Sequence, residues 1–441
     1  MTDSSARLTD ARGLLVVGAA EVATMAGGLR RGSSQDDPLL LDVPQPTVAT
    51  WDGRVLAIGH HGAVEQAVND AGYDLAAFAT LDAGGGTVTP GLVDPHTHLL
   101  FAGSREAEIA LRLRGASYLE VLAAGGGILS TVAATRAASE ESLRAHGRRW
   151  LDEMLHNGVT TVEAKSGYGL DLPTELRLLR VAAELGREGP VEVVPTFLGL
   201  HAVPPEFRER ADGTDQYVDA VIDEILPAVA ADGHARFCDV FCERGVFSVE
   251  HARRYLLAGA SLGLASRLHA DQLASSGAAE LAAEIGALSA DHLGAASDDG
   301  IAALARVAGG ERPVVAVLLP STQLFVPNEP RSQARRLVDQ GIPVALGSDF
   351  NPGTSPTPNL PFALSLAVLT LGLSPAEALA AATVNAAFAL GLGESHGALE
   401  PGKAADLVVW DVPTHRQIPY WLGAGLVRTV VKRGRVVWER P

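Results

Sequence analysis

The sequence is poor in cysteine and lysine. Only two of its 441 residues are cysteine, Cys238 and Cys242, and they lie four positions apart rather than in a Cys-x-x-Cys metal pair. This excludes a disulfide-rich scaffold, and we expect both thiols to be buried and reduced, as is usual in cytosolic proteins. Lysine occurs only at Lys165, Lys403 and Lys432, so arginine carries almost all of the positive charge.

Long apolar runs and an excess of positive charge are also missing. No apolar stretch reaches the roughly 18 uninterrupted residues typical of a membrane-spanning helix, and residues 1–10 lack the charged-then-apolar order of a signal peptide. The formal net charge is −17, which argues against nucleic-acid and acidic-membrane partners because both require a basic face. We therefore expect a cytoplasmic protein that acts on a small molecule.

Two histidines follow an apolar run that begins at Pro90. The segment reads PGLVDPHTHL, so His96 and His98 are separated by one residue. On a strand, alternate side chains point to the same side, and two imidazoles on one side can bind one divalent metal ion. The pattern is weak by itself and gains force only if further ligands follow.

Further candidate ligands stand at the ends of later strand-like runs. They are His269 after GLASRL, His292 after ALSAD and Asp349 after PVALGS. Each alone is more often a structural histidine or a capping aspartate, but repeated coincidences at strand ends favour a shared site. Eight other histidines fall in turns or helical stretches and are expected at the surface: His60, His61, His146, His156, His234, His251, His396 and His415.

Strand-like runs alternate with alanine- and leucine-rich helical segments. Eight candidate strands end near His98, Ser166, His201, Glu243, His269, His292, Ser321 and Asp349. This alternation predicts an α/β fold, a closed parallel (β/α)8 barrel of the TIM type whose active site lies at the carboxyl ends of the strands. With 47% hydrophobic residues, the chain has ample material for such a core.

The two ends of the chain have a different pattern. Residues 13–82 and 406–438 contain short extended runs with little helical period. Neither stretch could bury an apolar face alone, so we expect both to pair in one small β-sandwich beside the barrel. The predicted division is residues 1–85 and 396–441 for the sandwich and 86–395 for the barrel.

Together these residues resemble the amidohydrolase superfamily of metal-dependent hydrolases over essentially the whole chain. The His96-x-His98 pair after a Thr-Pro-Gly turn, with His269, His292 and Asp349, carries the resemblance, and the segment FAGSR at 101–105 accompanies it. Three further motifs single out one subfamily: KSGYG at 165–169, FLGLHAVP at 197–204 and SDFNPG at 348–353.

That subfamily hydrolyses the cyclic amide of 4-imidazolone-5-propanoate to N-formimino-L-glutamate, in histidine degradation. The resemblance implies one divalent metal ion, zinc or iron, held by His96, His98, His269 and Asp349, which lowers the pKa of a bound water. Relatives with two metal ions bridge them through a carboxylated lysine at the end of the fourth strand, where this sequence has none. We therefore expect a single ion.

Two residues are expected to be catalytic. Asp349 can accept the proton of the attacking water and pass it to the leaving nitrogen. His292, placed beside the metal by the resemblance, would stabilise the developing oxyanion. Gln272 cannot share the proton transfer, because an amide does not take up a proton at neutral pH.

The substrate carboxylate needs a cation. Arg105 and Tyr168 could hold it through a charge-assisted fork and a phenol hydrogen bond, and the resemblance assigns His201 to the imidazolone ring. An Asn-Pro-Gly segment is also a common turn, and both interpretations can hold together. The expected substrate-binding residues are Arg105, Tyr168, His201, Gln272, Asn351, Gly353 and Thr354.

Two other functions are compatible with part of these features. A deaminase of a cyclic amidine such as guanine or cytosine would keep the metal site but would not need the carboxylate clamp, so Arg105→Ala should leave it active. A non-catalytic scaffold would have lost metal ligands, and none is missing here. The family also suggests a homodimer.

Overall fold

The computed structural model describes residues 12–115, 126–326 and 330–441. Residues 1–11, part of the predicted sandwich, lie outside these ranges. The strands of the described residues are β1 Gly13–Val17, β2 Glu21–Val22, β3 Pro46–Trp51, β4 Arg54–His60, β5 Phe78–Asp82, β6 Thr87–Pro90, β7 Leu92–Asp94, β8 Val159–Lys165, β9 Glu192–Leu200, β10 Phe237–Cys242, β11 Ala265–Ala270, β12 Ser289–His292, β13 Val315–Leu318, β14 Val344–Leu346, β15 Leu407–Trp410, β16 Val427–Lys432 and β17 Arg435–Glu439.

Helices connect most of these strands. The α-helices are His61–Asp70, Ala107–Leu113, Ile128–Ala137, Glu140–His156, Leu172–Glu188, Pro205–Arg208, Gly213–Ala220, Leu226–Asp232, Val249–Ser261, Ala278–Ile285, Asp298–Ala308, Pro320–Phe325, Ala334–Asp339, Leu360–Leu371, Pro375–Ala381, Val384–Ala389 and Gln417–Tyr420. Two 3-10 helices, Gly32–Asp36 and Leu75–Ala77, and a π-helical turn, Val221–Ile225, are the other helical elements of the described residues. Within the described residues, no helix is both long and apolar enough to cross a membrane.

Eight parallel strands, β7 to β14, form the barrel in sequence order. The ring closes just beyond β7 and β14, where His98 N–H donates to the carbonyl oxygen of Phe350 at 2.9 Å and Asp349 N–H donates to that of His96 at 3.0 Å. The predicted barrel is thus confirmed. We call the contact between residues 96–98 and 348–350 the closing seam.

Local sequence explains how strands and helices alternate. Every residue of β8 is buried, as expected for a strand covered on both faces. The helix that follows, Leu172–Glu188, begins with Asp171, whose side chain accepts a hydrogen bond from Thr174 N–H, and has a proline in its first turn. It ends at Gly189 and buries Leu178 and Leu185 against the barrel.

The sandwich has two sheets. One contains β4, β3, β1 and β5, and the other contains β17, β16, β15, β6 and β2, so both ends of the chain share the second sheet. β6 pairs antiparallel with β15. The two sheets enclose one apolar cluster, which includes Leu14, Val16, Val48, Val88, Leu407, Val409 and Val431. The predicted β-sandwich is confirmed, while its boundaries at residues 85 and 396 stay predictions.

Several local features differ from expectation. β7 ends at Asp94 and β14 at Leu346, so the predicted ligands follow these strands rather than ending them. The helix His61–Asp70 was not expected from the sequence and buries Val64 and Val68.

Two of the histidines expected at the surface are buried. His396 lies 3.2 Å from Glu192 and His415 lies 2.7 Å from Glu21, so each ring meets a carboxylate that compensates for its loss of water. The interpretation of these two residues as surface histidines was wrong. Both cysteines are buried and free, as expected.

Candidate active site

The predicted site residues gather at the carboxyl ends of the barrel strands. His96 and His98 follow β7, His269 lies on β11 and His292 ends β12. Asp349 follows β14 by three residues. The closing seam brings the first and last of these segments together, so residues about 250 positions apart in the chain share one end of the barrel.

Three imidazoles point nitrogen atoms at one small space. Ligand atoms of His96, His98 and His269 all lie within 4.8 Å of one another. The Nε2 atoms of His98 and His269 are 3.4 Å apart. Asp349 Oδ1 is 3.5 Å from Nε2 of His96 and 3.5 Å from Nε2 of His98, so a carboxylate oxygen joins the histidine group.

Buried carboxylates determine which nitrogen carries the proton in two of these rings, those of His96 and His269. Nδ1 of His96 lies 2.6 Å from Asp291 Oδ2, and Nδ1 of His269 lies 3.2 Å from Asp239 Oδ1. A carboxylate accepts, so Nδ1 of each ring donates and the lone pair sits on Nε2. Burial lowers the pKa of His96 well below the usual imidazole value, which keeps this ring neutral.

A buried charge network stands behind these carboxylates. Lys165 Nζ lies 2.7 Å from Glu163, 2.7 Å from Asp239 and 3.7 Å from Asp291. Arg267 Nη2 lies 3.2 Å from Asp291 Oδ2 and also contacts Glu163 through Nε. Two cations thus face three carboxylates away from water, and each carboxylate lies within ion-pair distance of at least one cation. Lys165 thus has a structural part in this network.

A hydrogen bond fixes the orientation of the Asp349 carboxylate. Thr322 donates a hydrogen bond to its Oδ2 at 2.5 Å, which leaves Oδ1 facing the histidines. Burial raises the pKa of Asp349 to about 6. Asp349 and His292 both adopt left-handed backbone angles, with φ of 53° and 73°. Such angles cost free energy in residues with a side chain and concentrate at functional sites.

Three rings surround the histidine group. The His292 ring lies 5.3 Å from that of His269 and 5.4 Å from that of His96. His201 stacks on His98 at 5.0 Å, and Tyr168 lies 5.7 Å from His98. His201 Nδ1 is 3.0 Å from the carbonyl oxygen of Gly167 and must donate to it, while burial lowers the His201 pKa to about 3. His201 therefore presents an unprotonated Nε2.

Arg105 reaches the same end of the barrel. Its Nε and Nη2 donate to the two carboxylate oxygens of Glu108 at 2.8 and 2.9 Å. A Cβ on Gly353 would overlap the guanidinium, so a larger residue at this position would require the Arg105 side chain to move. The positive charge of Arg105 acts on buried Tyr168, whose pKa is raised above its ordinary value by burial.

The remaining predicted residues lie in the loops after β11 and β14. Gln272 follows β11 by two residues and is half-buried. The Asn351 amide is used within its own turn, where Oδ1 accepts from Gly353 N–H and Thr354 N–H at 2.8 Å each. Its Nδ2 donates to Asp349 O at 2.7 Å and to Thr354 Oγ1 at 3.0 Å. The turn interpretation of this segment is thus borne out by its hydrogen bonds.

Sequence reasoning missed several residues of this site: Glu108, Glu163, Asp239, Arg267 and Thr322. A signal existed for some of them. Asp239 lies within the apolar run FCDVFC and Glu163 within VTTVEAK. A carboxylate inside a buried strand needs a partner, and each could have been matched with a histidine or a cation on a neighbouring strand.

The donor set fits a divalent metal ion. Three imidazoles and a carboxylate oxygen converge, and two of the rings have carboxylates at the opposite nitrogen, as metal-binding histidines usually do. Within the part of the chain that the structure describes, His96 Nε2 is buried without a hydrogen-bond partner. A nitrogen atom that binds a metal ion is expected to have no hydrogen-bond partner within the protein.

Comparison with known proteins identifies the class of this fold and site. Residues 87–437 match the Amidohydrolase family. Solved structures with the same fold include guanine deaminase of E. coli, with a TM-score of 0.68 at 16% identity over 97% of this chain and 100% of that one. Another is 5-methylcytosine deaminase of Klebsiella pneumoniae, with a TM-score of 0.68 at 16% identity over 97% and 98%. The chain belongs to the amidohydrolase family, a family of metal-dependent hydrolases.

More similar relatives place it within that family. Imidazolonepropionase of Symbiobacterium thermophilum is 51% identical over 96% of this chain and 97% of its own length. The enzyme of the same name from Geobacillus kaustophilus is 49% identical over 97% and 98%. The chain is a member of the imidazolonepropionases.

Proposed function

We propose that this protein hydrolyses the cyclic amide C–N bond of 4-imidazolone-5-propanoate and releases N-formimino-L-glutamate. The observation that carries the proposal is the shared position of two features at one end of the barrel. One is the group formed by His96, His98, His269 and Asp349, and the other is Arg105 beside Tyr168. The first feature suits hydrolysis, and the second suits a substrate with a carboxylate.

His96, His98, His269 and Asp349 would hold one divalent ion, zinc or iron. When bound, such an ion lowers the pKa of a water and polarises a carbonyl group. Imidazole and carboxylate ligands suit both metals. Metal analysis of the purified protein would identify the ion and its stoichiometry.

Asp349 is the proposed proton carrier. Its Oδ2 is held by Thr322, so the group keeps one orientation during the reaction. It takes a proton from the water that adds to the ring carbonyl carbon and delivers it to the ring nitrogen as the C–N bond breaks. The added oxygen stays in the new carboxylate, and the nitrogen leaves as part of the formimino group.

His292 is the proposed stabiliser of the oxyanion. Burial lowers its pKa well below the usual value, so the ring is neutral and can donate one N–H. The ring lies beside both His269 and His96, so it flanks the position where the carbonyl carbon must sit. A donor aimed at developing negative charge lowers the barrier.

Arg105 and Tyr168 are proposed to bind the propionate. His201 would accept a ring N–H through its Nε2, and Gln272, Gly353 and Thr354 would complete the pocket, with Asn351 shaping the last turn. Arg105→Ala should raise KM about 10- to 100-fold, because a charge-assisted pair is lost. Exposed Arg114 offers a control, since Arg114→Ala should leave KM unchanged.

The test follows the absorbance of imidazolone propionate with metal-loaded protein and identifies formiminoglutamate as the product. A chelator should abolish turnover, and added metal should restore it. One bound ion per chain without turnover would contradict the proposal. Guanine and cytosine should then be tried, because a cyclic-amidine deaminase would use the same ligands without needing Arg105.

We also propose that the protein is a cytoplasmic homodimer. Its two free, buried cysteines suit a reducing compartment, and the dimer is the state expected from the family resemblance. Light scattering during gel filtration would measure the subunit number, and fractionation of cells would locate the protein.

A further inference from the structure

A cavity lies at the opposite end of the barrel from the candidate active site. It has a volume of about 850 Å³ and is lined by residues of the barrel and of the sandwich. Glu192, which lines it, begins β9, whereas His201 of the active site follows the end of the same strand. A volume of this size suits a small-molecule ligand.

The lining of this cavity is basic, although the chain as a whole carries a net charge of −17. Two carboxylates, Asp52 and Glu192, line it. Six residues with basic side chains also line it: Arg12, Arg187, His234, Lys432, Arg433 and Arg435. Clustered positive charge within an acidic protein concentrates anions at that place.

Part of this positive charge is already compensated. Glu192 lies 3.4 Å from Lys432 and 3.1 Å from Arg433, and Lys432 also lies 2.7 Å from Asp406. Lys432 is buried, and these two carboxylates lie opposite its ammonium group. Arg12 lies 3.5 Å from Asp52.

Two arginines of the cavity have no such partner. Both side chains are exposed, and among the residues that the structure describes neither the Arg187 nor the Arg435 guanidinium makes a hydrogen bond or an ion pair with another side chain or a carbonyl oxygen. Arg187 stands in the last turn of Leu172–Glu188, where a positive charge also favours the helix dipole. Arg435 begins β17 and has no comparable helix to stabilise.

The backbone around the cavity leaves room for a ligand. Four glycines line it: Gly53, Gly186, Gly189 and Gly233. Without Cβ atoms these positions let a ligand approach the main chain closely. Planar guanidinium groups match the oxygens of carboxylates and phosphates in particular.

We propose that this cavity binds a small anion with carboxylate or phosphate oxygens, held by Arg187 and Arg435. The site shares no residue with the proposed active site, so it does not depend on the proposed function. An anion bound there would contact two guanidinium groups that have no carboxylate partner among the described residues.

The test is titration calorimetry of the metal-loaded protein with inorganic phosphate, pyrophosphate and succinate, each separately, at low salt. At least one anion should bind at one per chain, and comparison of the three distinguishes phosphate from dicarboxylate ligands. Arg187→Gln and Arg435→Gln should each weaken binding about tenfold. Binding should also weaken as sodium chloride is added, because salt screens the charges.

Arg306→Gln is the matched control. Arg306 is exposed and lies outside the cavity, so its loss should leave the affinity unchanged. Equal weakening in this control, or undiminished binding in both cavity variants, would overturn the proposal. So would the absence of binding for all three anions. Loss of binding in Arg105→Ala alone would assign the anion to the active site and contradict the proposal equally.

Discussion

At the scale of single residues, the chemistry of the site depends on which carboxylate each imidazole meets. Asp291 and Asp239 each face an Nδ1 atom, and this leaves Nε2 of His96 and His269 free to act as a ligand. The two aspartates lie at the Nδ1 atoms of the rings, on the opposite nitrogen from Nε2. We expect them to act by orienting the two proposed ligands.

Asp291→Asn tests this orientation. The amide keeps the shape of the side chain but removes the charge that holds the Nδ1 proton of His96. We expect metal affinity to fall about 10- to 100-fold, measured as metal content after equilibration with buffered zinc. Asp298→Asn is the control, because the Asp298 side chain is 86% exposed. Equal metal content in both variants would contradict the proposed role of Asp291.

Glu108 makes a second prediction at this scale. It pairs with Arg105 through two hydrogen bonds and also accepts from Gly127 N–H at 2.6 Å. Glu108→Gln should therefore release the guanidinium and raise KM about tenfold while kcat changes little. Exposed Glu106 provides the control, since Glu106→Gln should leave KM unchanged. A fall in kcat with constant KM would mean that Glu108 does not act through substrate binding.

At the scale of elements, the closing seam positions three of the four proposed metal ligands. It joins the residues after β7 to those after β14 through backbone hydrogen bonds rather than through a regular strand pair. The short strands end early, and the free segments beyond them carry His96, His98 and Asp349. A strand that continued to Asp349 would alternate its side chains and could not adopt the left-handed backbone seen there.

Gly347→Ala tests how tightly this seam is packed. A Cβ at Gly347 would lie 3.0 Å from the His96 Cβ and 3.0 Å from Leu319 Cδ2, closer than ordinary contacts. We expect the free energy of unfolding to fall by about 1–3 kcal/mol, with a loss of metal content as His96 moves. Gly309→Ala is the control, because a Cβ there meets nothing within 4 Å. Denaturant unfolding measures the free energy of unfolding of both variants. Equal values would contradict this prediction and show that the closing seam accommodates the added Cβ.

At the scale of the whole molecule, the sandwich is attached to the barrel through ion pairs as well as apolar contacts. Glu192 of β9 meets Lys432 and Arg433 of the sandwich and His396, which precedes β15. The hydrogen bond with His396 and the charges of Lys432 and Arg433 hold the pKa of Glu192 well below its ordinary value.

This lowered pKa makes the attachment sensitive to acid. A carboxyl group whose pKa falls on folding stabilises the folded state above its unfolded pKa, and this contribution is lost as the pH falls towards the folded pKa. Glu192→Gln should therefore lower the free energy of unfolding at pH 7, and the difference from the parent should shrink below about pH 4. Exposed Glu311→Gln should show no such trend. A difference that is constant with pH would contradict the linkage.

The outcome of sequence reasoning differed between kinds of residue. His96, His98 and Asp349 were found because chemically distinctive side chains recur at strand ends. Asp239 and Glu163 were missed because each lies in a mostly apolar strand. The residues that each contacts on adjacent strands are distant in the chain. His396 was expected at the surface because its carboxylate partner, Glu192, lies 204 positions away.

The amino-acid sequence by itself determined the alternation of strands and helices, the family of the chain and the residue types of the site. These properties are local, since they rest on periodicity, turns and short motifs. Only the tertiary structure decided which carboxylate orients which histidine, where the barrel closes and which arginines stay without a partner. Those are contacts between distant segments, and their free energies depend on burial and distance that no single segment specifies.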